Sequence, residues 1–156
     1  MDPRVTTAQK DLEEQFKLSK QLYDQWLALA AVAESARPLR GQITDLGSRI
    51  PEDMKPRFEE FSGQFQVFGG GGPQPGGTAA QPRATVASVT GRLRTLFAQI
   101  EGVDLAPTTQ QRTAAAEVVK DAQTLLENWQ TFRTRVLPGF NQELQGKGLP
   151  VIAVPK

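Results

Sequence analysis

The chain of 156 residues contains no cysteine and no histidine. Without cysteine it can form neither a disulfide bond nor a thiolate nucleophile. Without histidine it lacks the side chain that most often transfers protons near neutral pH, and a metal site would need carboxylates alone. We therefore expect a protein that is not an enzyme, with no catalytic residue, no metal and no cofactor.

A dominant charge and a long apolar run are also missing. The formal net charge is +1, which is too small to attract nucleic acid over a distance. No stretch reaches the roughly 18 apolar residues that a membrane span needs. The opening Met1-Asp2-Pro3-Arg4 is not followed by the apolar segment of a signal peptide. We expect no nucleic-acid partner and no membrane span.

Apolar residues recur at the three- and four-residue spacings of amphipathic helices, and no segment alternates with a period of two. The longest row is Leu18, Leu22, Gln25, Leu29, Val32, Ala36, Leu39, Ile43, Leu46 and Ile50. A second row, which widens the same apolar face, is Leu12, Phe16, Ser19, Tyr23, Trp26, Ala30 and Ala33. These rows predict one long helix over about 8–49, kinked at Pro38. The alternative is two helices, with Pro38 as the first residue of the second.

Three further helices are predicted, over about 53–68, 84–101 and 109–146. The first carries Met54, Phe58, Phe61, Phe65 and Phe68 on one face, and Pro138-Gly139 should break or bend the last. The Gly- and Pro-rich residues 69–82 predict a flexible, disordered linker, and residues 149–156 an extended tail. The fold class is therefore all-α, a single domain over 1–156. We expect an elongated antiparallel helical bundle of four main helices, two long and two short.

Two groups of residues were weighed as sites. The adjacent carboxylates Glu13-Glu14, Glu52-Asp53 and Glu59-Glu60 could serve acid–base chemistry only across a cleft, and a solvated helix surface is the better interpretation. The candidate interaction residues are Leu149, Pro150, Val151 and Ile152, which are largely apolar and follow a helix stop. These four could pack on their own bundle, or they could dock onto a neighbouring domain or another chain.

The order of several short motifs resembles the C-terminal helical region of bacterial sortilin-like BNR-repeat β-propeller proteins, often labelled glycosyl hydrolases. The motifs are Asp2-Pro3-Arg4-Val5, Asp11-Leu12, Gln15-Phe16, Leu18-Ser19, Leu22-Tyr23-Asp24, Leu39-Arg40-Gly41-Gln42-Ile43, Pro107-Thr108-Thr109-Gln110 and the ending from Trp129 to Ile152. The Asp-box repeats of the propeller are absent from the sequence, so no catalytic residue carries over.

The resemblance implies that a β-propeller lies upstream in the parent chain and that Met1 begins a piece of it. It also implies export, to the periplasm or the extracellular space. The function we expect is that of a non-catalytic C-terminal structural and interaction module whose partner is this propeller. The alternative is an independent helical module that captures a peptide, polysaccharide or envelope partner.

Overall fold

A computed structural model describes residues 8–69, 84–103 and 105–153. Across these ranges the chain is helical, with no strand, so the all-α class is confirmed. The bundle of two long and two shorter helices is also confirmed, with the second long helix interrupted by a π-helical turn. The helices are α1 (Gln9–Gly47), α2 (Lys55–Gly69), α3 (Val86–Glu101), α4 (Thr109–Thr131) and α5 (Leu137–Gly146). A 3₁₀ turn, Glu52–Met54, leads into α2, and a π-helical turn, Phe132–Val136, joins α4 to α5. Gly69 ends α2, and the rest of the predicted linker lies outside the described residues.

The helices form three rods that run up, down and up. The first rod is α1, whose 39 residues extend about 58 Å. The second is α2 followed by α3, and the third runs from α4 through the π turn to α5. Side-chain pairs along the rods fix these directions. They are Arg57–Glu143, Phe68–Trp129 and Arg92–Asp121 between the second and third rods, and Glu14–Arg112 between the first and third. The two shorter helices therefore follow each other along one side of the bundle.

The first rod continues through Pro38 as a single helix. Proline removes one backbone donor and crowds the carbonyl four residues earlier. Pro38 itself is exposed, so water can reach the carbonyl group that it leaves without a partner. Ala36 and Leu39 on either side are fully buried, and their packing keeps the helix on its course.

The third rod departs from regular α-helical geometry in the turn before Pro138, not at Pro138 itself. The Leu137 N–H donates to the carbonyl of Phe132, five residues back, as a π turn requires. A wider turn leaves room for the proline ring, which would collide with the preceding turn of a regular α-helix. The extra residue also shifts the buried face: Leu137 is buried, whereas Val136, one position earlier, is only partly buried.

Two helices begin at capping boxes. The Thr85 hydroxyl accepts the Ser88 N–H, and the Ser88 hydroxyl accepts the Thr85 N–H, so α3 begins at Val86. Thr108 and Gln111 make the same reciprocal pair at α4. Thr108 is therefore the N-cap of α4. Each box satisfies two backbone donors that a helix start leaves free.

An aromatic cluster joins α2 to the third rod. Its members are Phe58, Phe61, Phe65, Phe68, Trp129, Phe132 and Phe140. Phe61 stacks on Phe140 with ring centroids 4.2 Å apart, and Phe68 meets Trp129 edge-on at 5.1 Å. The aromatic face predicted for this helix is therefore core, and both tryptophan and phenylalanine contribute large buried areas to it.

Two polar side chains are buried near the start of α1. The Gln15 amide donates to the carbonyls of Ile100 and Val103, at 2.6 and 2.8 Å, and so closes the C-terminal end of α3. The Ser19 hydroxyl is also buried, but it has no hydrogen-bond partner among the described residues. The Gln15 side chain therefore stabilises the contact between α1 and the end of α3, whereas the Ser19 hydroxyl is buried without a hydrogen-bond partner among the described residues.

Replacing Phe61 with alanine should destabilise the fold by about 3–5 kcal/mol, because it removes a fully buried ring and leaves a cavity. The matched control is Phe16→Ala, also in a helix but largely exposed, for which we expect a change below about 1 kcal/mol. Urea titration followed by circular dichroism measures both. Equal losses would contradict the core assignment.

Replacing Ser19 with alanine should raise the free energy of unfolding by about 1 kcal/mol. The change removes a buried hydroxyl that lacks a partner and adds the better helix former. Ser35→Ala on the same helix is the control, since the Ser35 hydroxyl donates to the Ala31 carbonyl and is less buried. A loss of stability with Ser19→Ala would show that its hydroxyl is hydrogen-bonded in the folded protein.

Candidate functional site

The four candidate interaction residues follow α5 through a glycine turn. Gly148 has a φ of +68°, a left-handed conformation that favours glycine. The Leu149 N–H donates to the Leu144 carbonyl and the Gly148 N–H to the Gln145 carbonyl. These two bonds form a Schellman motif, in which Leu149 turns back over the last turn of the helix. The chain then runs from Leu149 to Ala153 along the bundle.

Two side-chain amides hold this segment by its backbone. Asn141 of α5 accepts the Ile152 N–H and donates to the Ile152 carbonyl, both at 2.9 Å. Gln42 of α1 accepts the Ala153 N–H at 2.8 Å and donates to its carbonyl at 2.9 Å. Successive residues of an extended chain point their backbone N–H and carbonyl groups toward opposite edges of the chain. The Asn141 and Gln42 side chains therefore hydrogen-bond to the segment from opposite sides. We call this pair of residues the amide clasp.

Ile152 anchors the segment in the core. Its side chain is 3% exposed, whereas that of its neighbour Val151 is 44% exposed. Leu149 packs partly against the core, and Pro150 faces solvent. The four candidate residues therefore divide: Leu149 and Ile152 face the bundle, and Pro150 and Val151 face outward. The segment lies against its own bundle, with Pro150 and Val151 exposed to solvent.

An exposed ion pair lies at the turn from which the segment starts. The Lys147 ammonium lies 2.6 Å from the Asp53 carboxylate, and this hydrogen bond holds the pKa of Asp53 below its ordinary value. A lowered pKa stabilises the fold above the ordinary range of an aspartate, and this contribution is lost as acid protonates the carboxylate. Nearby, hydrogen bonds to Glu60 and then Glu143 raise the pKa of Arg57. Both contacts are solvent-exposed and individually weak.

A second surface lies on α1, where three large apolar side chains face solvent. Phe16, Tyr23 and Leu27 are 68%, 41% and 49% exposed. Spacings of seven and four residues place them on one face of the helix. We call these three residues the apolar stripe. The Tyr23 ring lies 5.7 Å from that of Trp26, and the Arg94 guanidinium lies 5.3 Å above the Trp26 ring, so the stripe borders a partly buried aromatic group.

Phe16 and Tyr23 belong to the row predicted to widen the apolar face of α1, but both side chains are exposed in the structure, although the Tyr23 ring also contacts Phe97 of α3. Only one face of α1 can meet the other two rods, and Gln15, Ser19 and Leu22 occupy it. Each residue advances 100° around a helix, so Phe16, one position after Gln15, lies beside that contact rather than within it. The two apolar rows of α1 together cover a wider face of the helix than the other two rods can bury. The exposed Leu27, which lies in neither row, was the available sign of a second apolar face.

The adjacent carboxylates that were weighed for chemistry lie on the surface, where several are paired with cations. Glu14 contacts Arg112, Glu60 contacts Arg57 and Glu52 contacts Lys55. Within the described ranges, no three acidic side chains come together as a metal site would require.

A cleft of about 430 Å³ lies between α2 and the third rod, at α4 and the π turn, and Ala84, just before α3, also lines it. Its lining includes Val67, Phe68 and Leu125. The acidic residue among the lining residues is Asp121, which forms an ion pair with Arg92. The cleft thus has an apolar wall, and its carboxylate, that of Asp121, is already paired with the Arg92 guanidinium.

Comparison of this chain with protein-family models, curated proteins and solved structures finds no match. The described part of the chain contains no helix long and apolar enough to cross a membrane. Two surfaces of the described chain are candidates for binding a partner, the amide clasp and the apolar stripe.

Replacing Asn141 with alanine should weaken the docking of the segment by about 1–3 kcal/mol, because two hydrogen bonds to Ile152 are lost. Hydrogen exchange read by NMR should show faster exchange of the Ile152 amide, with the amides of α1 little changed. Asn128→Ala, at an exposed asparagine of α4, is the control. Unchanged exchange at Ile152 would mean that Asn141 does not hold the segment.

Proposed function

We propose that this chain is a non-catalytic helical module, the C-terminal structural and interaction domain of an exported sortilin-like propeller protein. The observation that carries the proposal is the apolar stripe on α1. Phe16, Tyr23 and Leu27 expose large side chains along one edge of the helix, beside its buried face, and the Tyr23 ring also contacts Phe97 of α3. Clustered apolar side chains that a bundle leaves in water favour contact with another protein surface.

The position of the stripe favours an upstream domain of the same parent chain as the partner. The stripe lies in the first half of α1, whose first residue is Gln9. A domain joined before α1 would be tethered close to this end of the rod, which raises its effective concentration at the stripe. The sequence resemblance supplies the identity of that domain, a β-propeller, and the expectation of a periplasmic or extracellular location.

The charges around the stripe are mixed, which suits a protein surface better than a polyanion. Lys20 and Asp24 form an ion pair beside it, and both side chains are more than half exposed. Pairs of this kind contribute little stability but influence which partner surface fits. The stripe would supply most of the binding free energy, and the charges its orientation.

A second candidate is an independent helical module that captures a partner from outside the parent chain. The amide clasp favours a peptide over a polysaccharide or an envelope component as that partner. Asn141 and Gln42 bind backbone N–H and carbonyl groups of an extended segment, and polysaccharides carry no such regularly spaced pairs. In this case the clasp would be the binding site, and the stripe would be dispensable.

The test is a triple variant, Phe16→Ser, Tyr23→Ser and Leu27→Ser, in a helical module mixed with its separately produced propeller. We expect binding measured by calorimetry to weaken at least about tenfold, because apolar anchors carry most interface energy. The matched control replaces the exposed residues Glu34, Arg37 and Arg40 of the same helix with serine. Circular dichroism checks that both variants remain helical.

Equal binding by the triple variant and the control would exclude the stripe as the contact with the propeller. Sequencing the gene upstream of the Met1 codon tests the partner independently. Asp-box repeats in the same reading frame would support the propeller as the partner. A stop codon directly before a true start codon would overturn this proposal and favour the independent binding module.

A further inference from the structure

We propose that the amide clasp and the pocket for Ile152 form a peptide-binding groove, and that the corresponding segment of a second copy of this chain can occupy it. In the structure the groove is filled in cis by residues Leu149–Ala153 of the same chain. Exchange of this segment between two copies would give a dimer held by the same contacts. The proposal does not depend on the propeller, because the groove and the apolar stripe are separate surfaces.

The groove recognises its occupant mainly through backbone atoms. Four hydrogen bonds from Asn141 and Gln42 satisfy the N–H and carbonyl groups of Ile152 and Ala153. These bonds do not require that the segment belong to the same chain. Peptide recognition commonly combines main-chain hydrogen bonds for affinity with one side-chain pocket for specificity, and the buried Ile152 supplies that specificity here.

The turn that leads into the segment can act as the hinge. It contains Gly146 and Gly148, and the Gly148 φ of +68° shows that the chain reverses there. Glycine also reaches the negative φ values that would let the segment extend away from its own bundle. The exposed Lys147–Asp53 pair is the side-chain contact that holds the hinge, and a pair this exposed to solvent is weak. A segment that detaches therefore leaves the aromatic cluster and most of the core intact.

A second copy is the occupant that best fits the groove, because the segment seated in it is complementary by observation. Reciprocal exchange closes with two-fold symmetry, so it gives a dimer rather than an open chain of molecules. In each molecule the tethered segment has a high effective concentration, so the cis arrangement predominates in dilute solution. Exchange should then rise with protein concentration.

The test mixes two full-length variants that are each defective in a different half of the contact. One carries Ile152→Asp, which removes the anchor of the segment and leaves the groove intact. The other carries Gln42→Ala together with Asn141→Ala, which disables the groove and leaves the segment free. We expect each to be a monomer alone and the mixture to form a complex of doubled mass, measured by light scattering after size exclusion.

The matched control carries all three substitutions in one chain, and in the proposed scheme it binds neither copies of itself nor the groove-disabled variant. A labelled peptide, Gly-Leu-Pro-Val-Ile-Ala with blocked ends, provides a direct probe of the groove. Its affinity for Ile152→Asp should exceed its affinity for the unaltered chain at least about tenfold, because the cis competitor is gone. No complex in the mixture and no peptide binding, with both variants helical, would overturn the proposal.

Hydrogen exchange on the unaltered chain decides the matter if Ile152→Asp does not fold. Detachment of the segment predicts that the Ile152 and Ala153 amides exchange by a local opening, faster than the amides of α1 and α4. Exchange of these two amides only with global unfolding would make the segment a fixed part of the core. That result would exclude exchange between copies.

Discussion

The stacking of Phe61 on Phe140 is the contact on which the arrangement of the rest of the bundle depends. It joins α2 to α5, at a ring separation of 4.2 Å, and so fixes the far end of the third rod. Phe140 can take this position only because the π turn adds one residue between Phe132 and Leu137 and keeps both on the buried face. Proline at position 138 makes the wider turn favourable. The stacking of Phe61 on Phe140 and the wide turn that Pro138 favours thus place α5 in the same rotation about its axis.

That register places the amide clasp. Asn141 follows Phe140 directly, so a helix with Phe140 in the core places Asn141 beside its buried face, where it meets the extended segment. Gln42 meets the same segment on its other side. Without the extra residue of the π turn, Asn141 would be rotated by about 100° around the helix. The packing of the aromatic cluster therefore sets the rotation of the third rod about its axis, and this rotation sets the position of Asn141 in the groove.

The two proposed binding surfaces lie far apart along α1. The apolar stripe occupies residues in its first half, and Gln42 lies near its end. The helix advances 1.5 Å per residue, so roughly 22 Å separates Leu27 from Gln42 along the helix axis. A long rod can in this way carry one partner at each end without steric conflict. This separation also means that substitutions in one surface should not disturb the other.

The sequence by itself determined the helical class, the core face of α2 and the continuous long row of α1. These features depend on local spacing and on backbone chemistry, which act over a few residues. Only the tertiary structure decided that α2 and α3 follow each other along one rod, and that Phe16 and Tyr23 face solvent. It also decided that Ile152 is held by Asn141 and Gln42. Each of these depends on which helix faces meet, and residues as far apart as Gln42 and Ala153 come together only when all three rods have packed.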